Sequence, residues 1–233
     1  MAKMKAPKGV TGQRGSQRAE SSKSWYTPIL AAYYGNRNVF TGIAIGVIAV
    51  IAGIFGFNYI QGERNTQAQE RLGAIILEYE RGEYQVALDG SGETLGLLDI
   101  IDRYGSSPAG NTARFYAGNA LFELEEYEQA LEQFENFNAS DDFLGASATA
   151  GRAAIHEMQG DYSLAADLFK RAAEMDDNQV QSPYYLRSAA RAYVESGELD
   201  TAEEIILEAK ERYPETDLVD EFDYMLGLVL ALQ

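Results

Sequence analysis

Three groupings in this sequence carry side chains capable of chemistry. His156 is the only histidine, acids pair at Asp141-Asp142 and Asp176-Asp177, and Arg187 and Arg191 stand one helical turn apart. A lone imidazole acts as a general base only beside a nucleophile, and no Ser or Cys nucleophile motif accompanies His156. It therefore reads as a packed side chain. The paired acids lack the Asp-x-Asp-x-Asp-Gly order of a calcium loop and read as helix caps, first-turn acids or loop solvation. The chain has no cysteine. That removes disulfides, thiolate metal sites, thiol catalysis and lipid attachment through an N-terminal cysteine. No Walker loop or Rossmann glycine pattern occurs. The expectation is a protein that is not an enzyme and has no catalytic residues, no cofactor and no metal.

What must position the remaining candidates begins with Val39–Ile60, 22 residues without a charge. At about 1.5 Å per residue a helix of that length spans the hydrocarbon of a bilayer. It shows no polar stripe at the 3.6 period, so it does not read as a buried core helix. The apolar block is longer than the usual h-region of a cleaved signal, and no Ala-x-Ala site follows Ile60. An anchor fits better. Gly42, Gly46, Ala49, Gly53 and Gly56 align along one side of it, where small side chains let a second helix approach closely. The other reading of this stripe is that glycine is simply frequent in membrane helices.

Charge divides the chain into 1–37, a basic tail, 38–60, the span, and 61–233, an acidic domain. Residues 1–37 carry seven bases (Lys3, Lys5, Lys8, Arg14, Arg18, Lys23, Arg37) against Glu20, a net of +6. Residues 61–233 carry 12 bases and 35 acids, a net of −23. Basic flanks stay on the cytoplasmic side, so the tail is expected in the cytoplasm and the domain across the inner membrane, in the periplasm. Trp25, Tyr26, Tyr33 and Tyr34 on one side and Tyr59 on the other suit the interfacial belts. Residues 1–24 have too few large apolar side chains to offset ordering and read as disordered. A surface this acidic excludes nucleic acid as a partner of the domain.

From about Asn65 onward the periodicity is helical and no alternating strand pattern competes, which gives an all-α class. The domain repeats internally. Glu126-Tyr127-Glu128-Gln129-Ala130 matches Asp161-Tyr162-Ser163-Leu164-Ala165, then Glu198-Leu199-Asp200-Thr201-Ala202, with a weaker copy at Glu83-Tyr84-Gln85-Val86-Ala87. The alanines are 43, 35 and 37 residues apart. Gly160 and Gly197 read as helix ends in a left-handed conformation. The alanines mark close crossings of paired helices, with Phe134, Phe169 and Ile206 filling the space beside them. Each pair has an apolar face it cannot bury alone, so pairs stack. Gly90-Ser91-Gly92-Glu93 reads as an insert, with a helix over Glu93–Tyr104. A last helix over about Asp217–Leu230 either packs across the final repeat or forms part of an interface.

Gly118 and Leu121, Gly160-Asp161-Tyr162, Ala165 with Phe169, and Tyr213-Pro214 resemble the tetratricopeptide repeat, although the usual Trp position holds Arg114, Thr149 and Leu186. The resemblance covers about 65–231 and implies an α-solenoid behind the single N-terminal transmembrane helix. It further implies that helix A of each repeat lines a concave protein-binding groove, at Phe115, Asn119 and Phe122, then Ala150, Ala154 and Glu157, then Tyr184, Arg187 and Arg191. Phe115 and Phe122 read equally as inter-repeat core. Arg187 and Arg191 can reach one carboxylate, or Arg191 can pair internally with Glu195. A narrower likeness, carried by Ala68-Gln69-Glu70, Ala87-Leu88-Asp89-Gly90, Leu97-Leu98-Asp99-Ile100-Ile101 and Ala113–Gly118, is to the YfgM-like family of ancillary Sec translocon subunits. It implies translocon subunits, periplasmic chaperones or exported polypeptides as partners. The alternative is a structural scaffold for cell division or envelope assembly with no client chains.

Overall fold

The computed structural model describes Tyr34 and residues 37–233. The tail 1–24 with its expected disorder, and Trp25, Tyr26 and Tyr33 of the expected belt, lie outside the described residues. Two compact units divide between Asn58 and Tyr59.

The first unit is the apolar part of α1 (Arg37–Glu80), a helix of 44 residues. Its charge-free stretch turns aliphatic and aromatic side chains outward on every side, among them Ile48, Val50, Phe55 and Phe57. The most apolar window has a mean hydropathy of 2.4, long and apolar enough to cross a membrane. A Cβ placed on Gly42, Gly46, Gly53 or Gly56 would meet nothing within 4 Å. Ala49 is exposed as well, so the small-residue side is open.

The second unit starts with the remainder of α1, whose Ala68 and Ile75 are buried. It continues through α2 (Tyr84–Asp89), a hairpin of β1 (Gly90–Ser91) and β2 (Thr94–Leu95), α3 (Leu97–Tyr104), α4 (Pro108–Glu123) and α5 (Tyr127–Asn136). Then come α6 (Asp142–Met158), α7 (Tyr162–Met175), α8 (Ser182–Ser196), α9 (Leu199–Arg212) and α10 (Val219–Leu232). The expected helix over Glu93–Tyr104 is corrected at its start. Gly92 takes φ +60° at the first loop position, so Gly92-Glu93 forms the two-residue turn of a hairpin and the helix begins only at Leu97. A Cβ on Gly90 would lie 2.3 Å from the Thr94 carbonyl oxygen, which is why glycine stands at that close approach.

One turn recurs four times. The Gly82, Glu125, Gly160 and Gly197 amides donate to the carbonyls of Tyr79, Phe122, Glu157 and Val194. The next amides, of Glu83, Glu126, Asp161 and Glu198, donate to Glu78, Leu121, His156 and Tyr193. This is the Schellman pair of bonds, and it needs a left-handed residue at its centre. That residue is glycine in three turns, and Glu125 at φ 63° in the other. The acid that follows stands at the N-cap position of the next helix without a capping hydrogen bond, with φ between −81° and −87° and ψ of 60° or 61° in every copy. Its carboxylate complements the positive end of the helix dipole.

Each turn delivers its alanine to the crossing: Ala87, Ala130, Ala165 and Ala202 are all fully buried. Phe134, Phe169 and Ile206 fill the space beside them. At the family's Trp position Thr149 and Leu186 are buried and Arg114 is half-buried. The buried side chains form two clusters, one from Ile75 to Ile155 and one from Ala153 to Val229, and α6 contributes to both. Asp141 caps α6 by accepting from the Leu144 amide at 2.9 Å. His156 is mostly buried at the end of α6, 3.7 Å from Asp161 and without a hydrogen bond at Nδ1. The last helix packs on the final repeat through fully buried Phe222 and Val229. A side chain of this size contributes roughly 1.5–3 kcal/mol when fully buried. Its other side stays exposed at Tyr224, Leu228, Leu230 and Leu232.

Two stability changes follow from the packing. The Phe134 ring is wedged between helices α4 and α6, since a Cβ on Gly118 or on Gly151 would come within 2.8 Å of it. Gly151→Ala should destabilise the full chain by about 1–3 kcal/mol of overpacking, against the roughly 1 kcal/mol that helix propensity returns. In a Phe134→Leu background the same change should turn neutral or favourable, read by urea unfolding followed by circular dichroism. Glu125→Gly should stabilise by about 0.5–1 kcal/mol, because the left-handed conformation no longer strains a Cβ.

Candidate functional site

Helix A of the last repeat, α8, presents Tyr184, Arg187 and Arg191 at helical spacing along one side, and α10 lies beside it. Pro183 sits at the first helical turn of α8 and Gly197 ends it at φ 82°. These two stops fix the register in which the three side chains emerge. On α10, Phe222 and Val229 fix the opposing wall by being buried. Between the helices lies a pocket of about 240 Å³, lined by Arg187, Arg191, Val194, Glu195, Glu221, Tyr224, Met225 and Leu228. Its floor is apolar and its rim is charged.

The rim is ordered by contacts one repeat apart. Arg191 Nε donates to Glu157 Oε1 at 3.1 Å and its Nη2 to Oε2 at 2.8 Å. This planar two-bond fork spans from α8 to α6. Arg187 lies 3.6 Å from the Glu221 carboxylate on α10, with its guanidinium 5.7 Å from the Tyr184 ring centre. The Tyr184 hydroxyl donates to Asp217 Oδ2 at 2.8 Å. That hydrogen bond, with some desolvation, raises the phenol above its ordinary pKa. A third tyrosine locks the same repeat from behind. Tyr213, nearly fully buried, donates to Asp177, and burial followed by that bond raises its own pKa. The bond from Tyr213, with Arg212 beside it, lowers the pKa of Asp177.

The structure brings Tyr184, Arg187 and Arg191 together, with Glu157 bonded to Arg191; it packs Ala150 and Ala154 against the core and places Phe115, Asn119 and Phe122 elsewhere. Phe115 packs against the core, its ring centre 5.7 Å from Tyr116, 6.3 Å from Phe134 and 5.6 Å from Phe137. Phe122 packs 5.6 Å from Tyr127 at the margin of the same cluster. The Asn119 amide donates to the Phe115 carbonyl of its own helix at 2.8 Å. The arginines do not converge on one carboxylate, and Arg191 pairs with Glu157 where the sequence offered Glu195. Glu221, Tyr224, Met225 and Leu228 complete the pocket and were missed. The signal that finds them is the repeat period, because residues one repeat apart on successive helices stand at the same height. A second hollow of about 510 Å³ near the start of α4 is lined by polar residues such as Ser106, Asn111, Thr112 and Asn138. Asn111 and Asn138 are already bonded to each other in both directions there, at 2.7 and 3.0 Å. Among the described residues no three metal-ligating side chains converge.

Residues 158–221 match the family model described as tetratricopeptide repeat. The matched stretch holds α7, α8 and α9, and all of the pocket except Tyr224, Met225 and Leu228. A comparison with curated proteins finds no match. The chain therefore contains tetratricopeptide repeats, and repeats of this kind are protein–protein interaction modules.

The fork across the repeats carries its own prediction. Glu157 is 19% exposed but Arg191 is 54% exposed, so the pair is shielded on the carboxylate side only. A double-mutant cycle of Arg191→Ala and Glu157→Gln, read by urea unfolding of the full chain, should give a coupling of about 0.5–1 kcal/mol. The same cycle with Glu195→Gln should give none.

Proposed function

We propose that this chain is a single-pass inner-membrane protein that presents its repeat domain in the periplasm, beside the Sec translocon. There it binds exported polypeptides or the chaperones that receive them. The observation that carries the reading is a charge-free, outward-facing helical stretch in the same chain as a stack of protein-binding repeats. The +6 tail and the −23 domain support the orientation, since basic flanks remain cytoplasmic. The local likeness to the YfgM-like translocon subunits supports the neighbourhood. The domain holds polypeptides and does not transform them. Anchoring beside the exit site raises the effective concentration of partners, so shallow contacts along the groove suffice. The open glycine side of the span offers a docking edge to another membrane helix.

Mild-detergent purification of the tagged full chain from native membranes tests the reading. Translocon subunits or envelope chaperones should be recovered with it. Their absence, under conditions that keep other membrane complexes intact, would overturn the assignment.

A further inference from the structure

The pocket between α8 and α10 has a charge character opposite to the one its two arginines suggest. Arg191 is occupied by Glu157 through both oxygens, and Arg187 by Glu221 and the Tyr184 ring. Each guanidinium already has a carboxylate beside it, so neither adds net positive charge to the rim. The rim's remaining charges are acidic. Glu195 lines the pocket, Asp220 is exposed on α10 next to Glu221 in sequence, and among the described residues neither has an ion pair or side-chain hydrogen bond. Asp217 accepts from neutral hydroxyls, those of Tyr184 and Thr216. Beneath this rim the floor is Val194, Met225 and Leu228, with Tyr224 71% exposed at its edge.

The apolar floor exists because α10 stands where the first helix of a further repeat would stand. Leu186, Ala189, Ala190 and Tyr193 of α8 are each covered by neighbouring helices. One repeat on, Phe222 and Val229 are covered too, but Met225 and Leu226 are only partly so, and Leu228 is 41% exposed. These side chains are apolar like the core positions they follow, yet less completely covered.

From these observations we infer that the α8–α10 groove binds a short helical segment of another protein that presents leucine-like side chains flanked by lysine or arginine. The inference rests on the protein-binding reading of the repeats and is independent of the translocon assignment. Charge complementarity selects this occupant over a second copy. Two domains of net −23 repel each other, and pairing two copies of α10 would bring together two helices whose only charges are acids. The same repulsion disfavours an anionic lipid surface. Apolar contact would supply the affinity, and the unpaired carboxylates the sign of the preference and a faster encounter.

The absence of native cysteine allows a direct test. The full chain, in nanodiscs of phosphatidylcholine, carries an environment-sensitive dye on Leu228→Cys or, as a second variant, on Tyr224→Cys. It is titrated with a synthetic 16-residue peptide of leucine and lysine at helical spacing, and with its leucine–glutamate counterpart. The lysine peptide should give a saturable signal from both labels, with affinity roughly fivefold or more above the glutamate peptide and falling as salt rises. Glu195→Gln with Asp220→Asn should weaken lysine-peptide binding about threefold and leave the glutamate peptide unimproved or slightly better. Equal or reversed preference, or indifference to the two substitutions, would overturn the inference. A concentration-dependent signal without peptide would overturn it by assigning the face to a second copy, and a signal on adding anionic vesicles alone by assigning it to lipid. Any of these outcomes leaves the co-purification result standing on its own.

Discussion

Four helical hairpins of this protein each depend on one backbone residue in the left-handed region, held by two amide–carbonyl bonds across the end of the preceding helix. That single conformation reverses the chain and aims the following acid at the next helix's positive end. It also puts an alanine at the crossing point in every copy. A larger side chain there would push the helices apart. Because the alanines are small and fully covered, Phe134, Phe169 and Ile206 can reach across and complete the core. The pairs then stack, since each still has an uncovered apolar face. Everything downstream of the turn, including the height at which Arg187 and Arg191 emerge, is inherited from it.

This hierarchy explains what could be read from the sequence. The turns, the alanines and the aromatic fillers are local, so their spacing is visible in a string, and the match over 158–221 covers two of the copies. The hairpin at Gly90–Leu95 was misjudged because its strands have two residues each, too short for any alternation to show. The partners of the arginines were misjudged for a different reason. The nearest acids along a helix are easy to see, whereas Glu157 and Glu221 come close only once repeats are stacked. Glu157 and Arg191 are 34 residues apart, a distance that means nothing until it is recognised as one repeat. Phe115 was ambiguous because a phenylalanine on helix A serves a groove or a core equally well, and only the ring neighbours decide.

The cross-repeat contacts form a ladder in which tyrosines and arginines of one layer hold carboxylates of the next: Arg191 with Glu157, Tyr184 with Asp217, Tyr213 with Asp177. In a domain so rich in acids, Arg187 and Arg191 are both taken up by carboxylates of neighbouring helices. What remains for the surroundings is a surface of unneutralised carboxylates interrupted by apolar side chains at the exposed side of α10. The protein's electrostatic appearance to a visitor is therefore set by how it holds itself together.

Helix α6 has a place in both hydrophobic clusters, lending Ala148 and Ile155 to one and Ala153 to the other. A wall shared in this way is also a seam. In a stack where layers touch only their neighbours, cooperativity is short-ranged, and the layers beyond the seam can loosen while those before it hold. Amide exchange in such a molecule is expected to be slowest where α6 is gripped on both sides. The end that carries the groove thereby has freedom to adjust its shape.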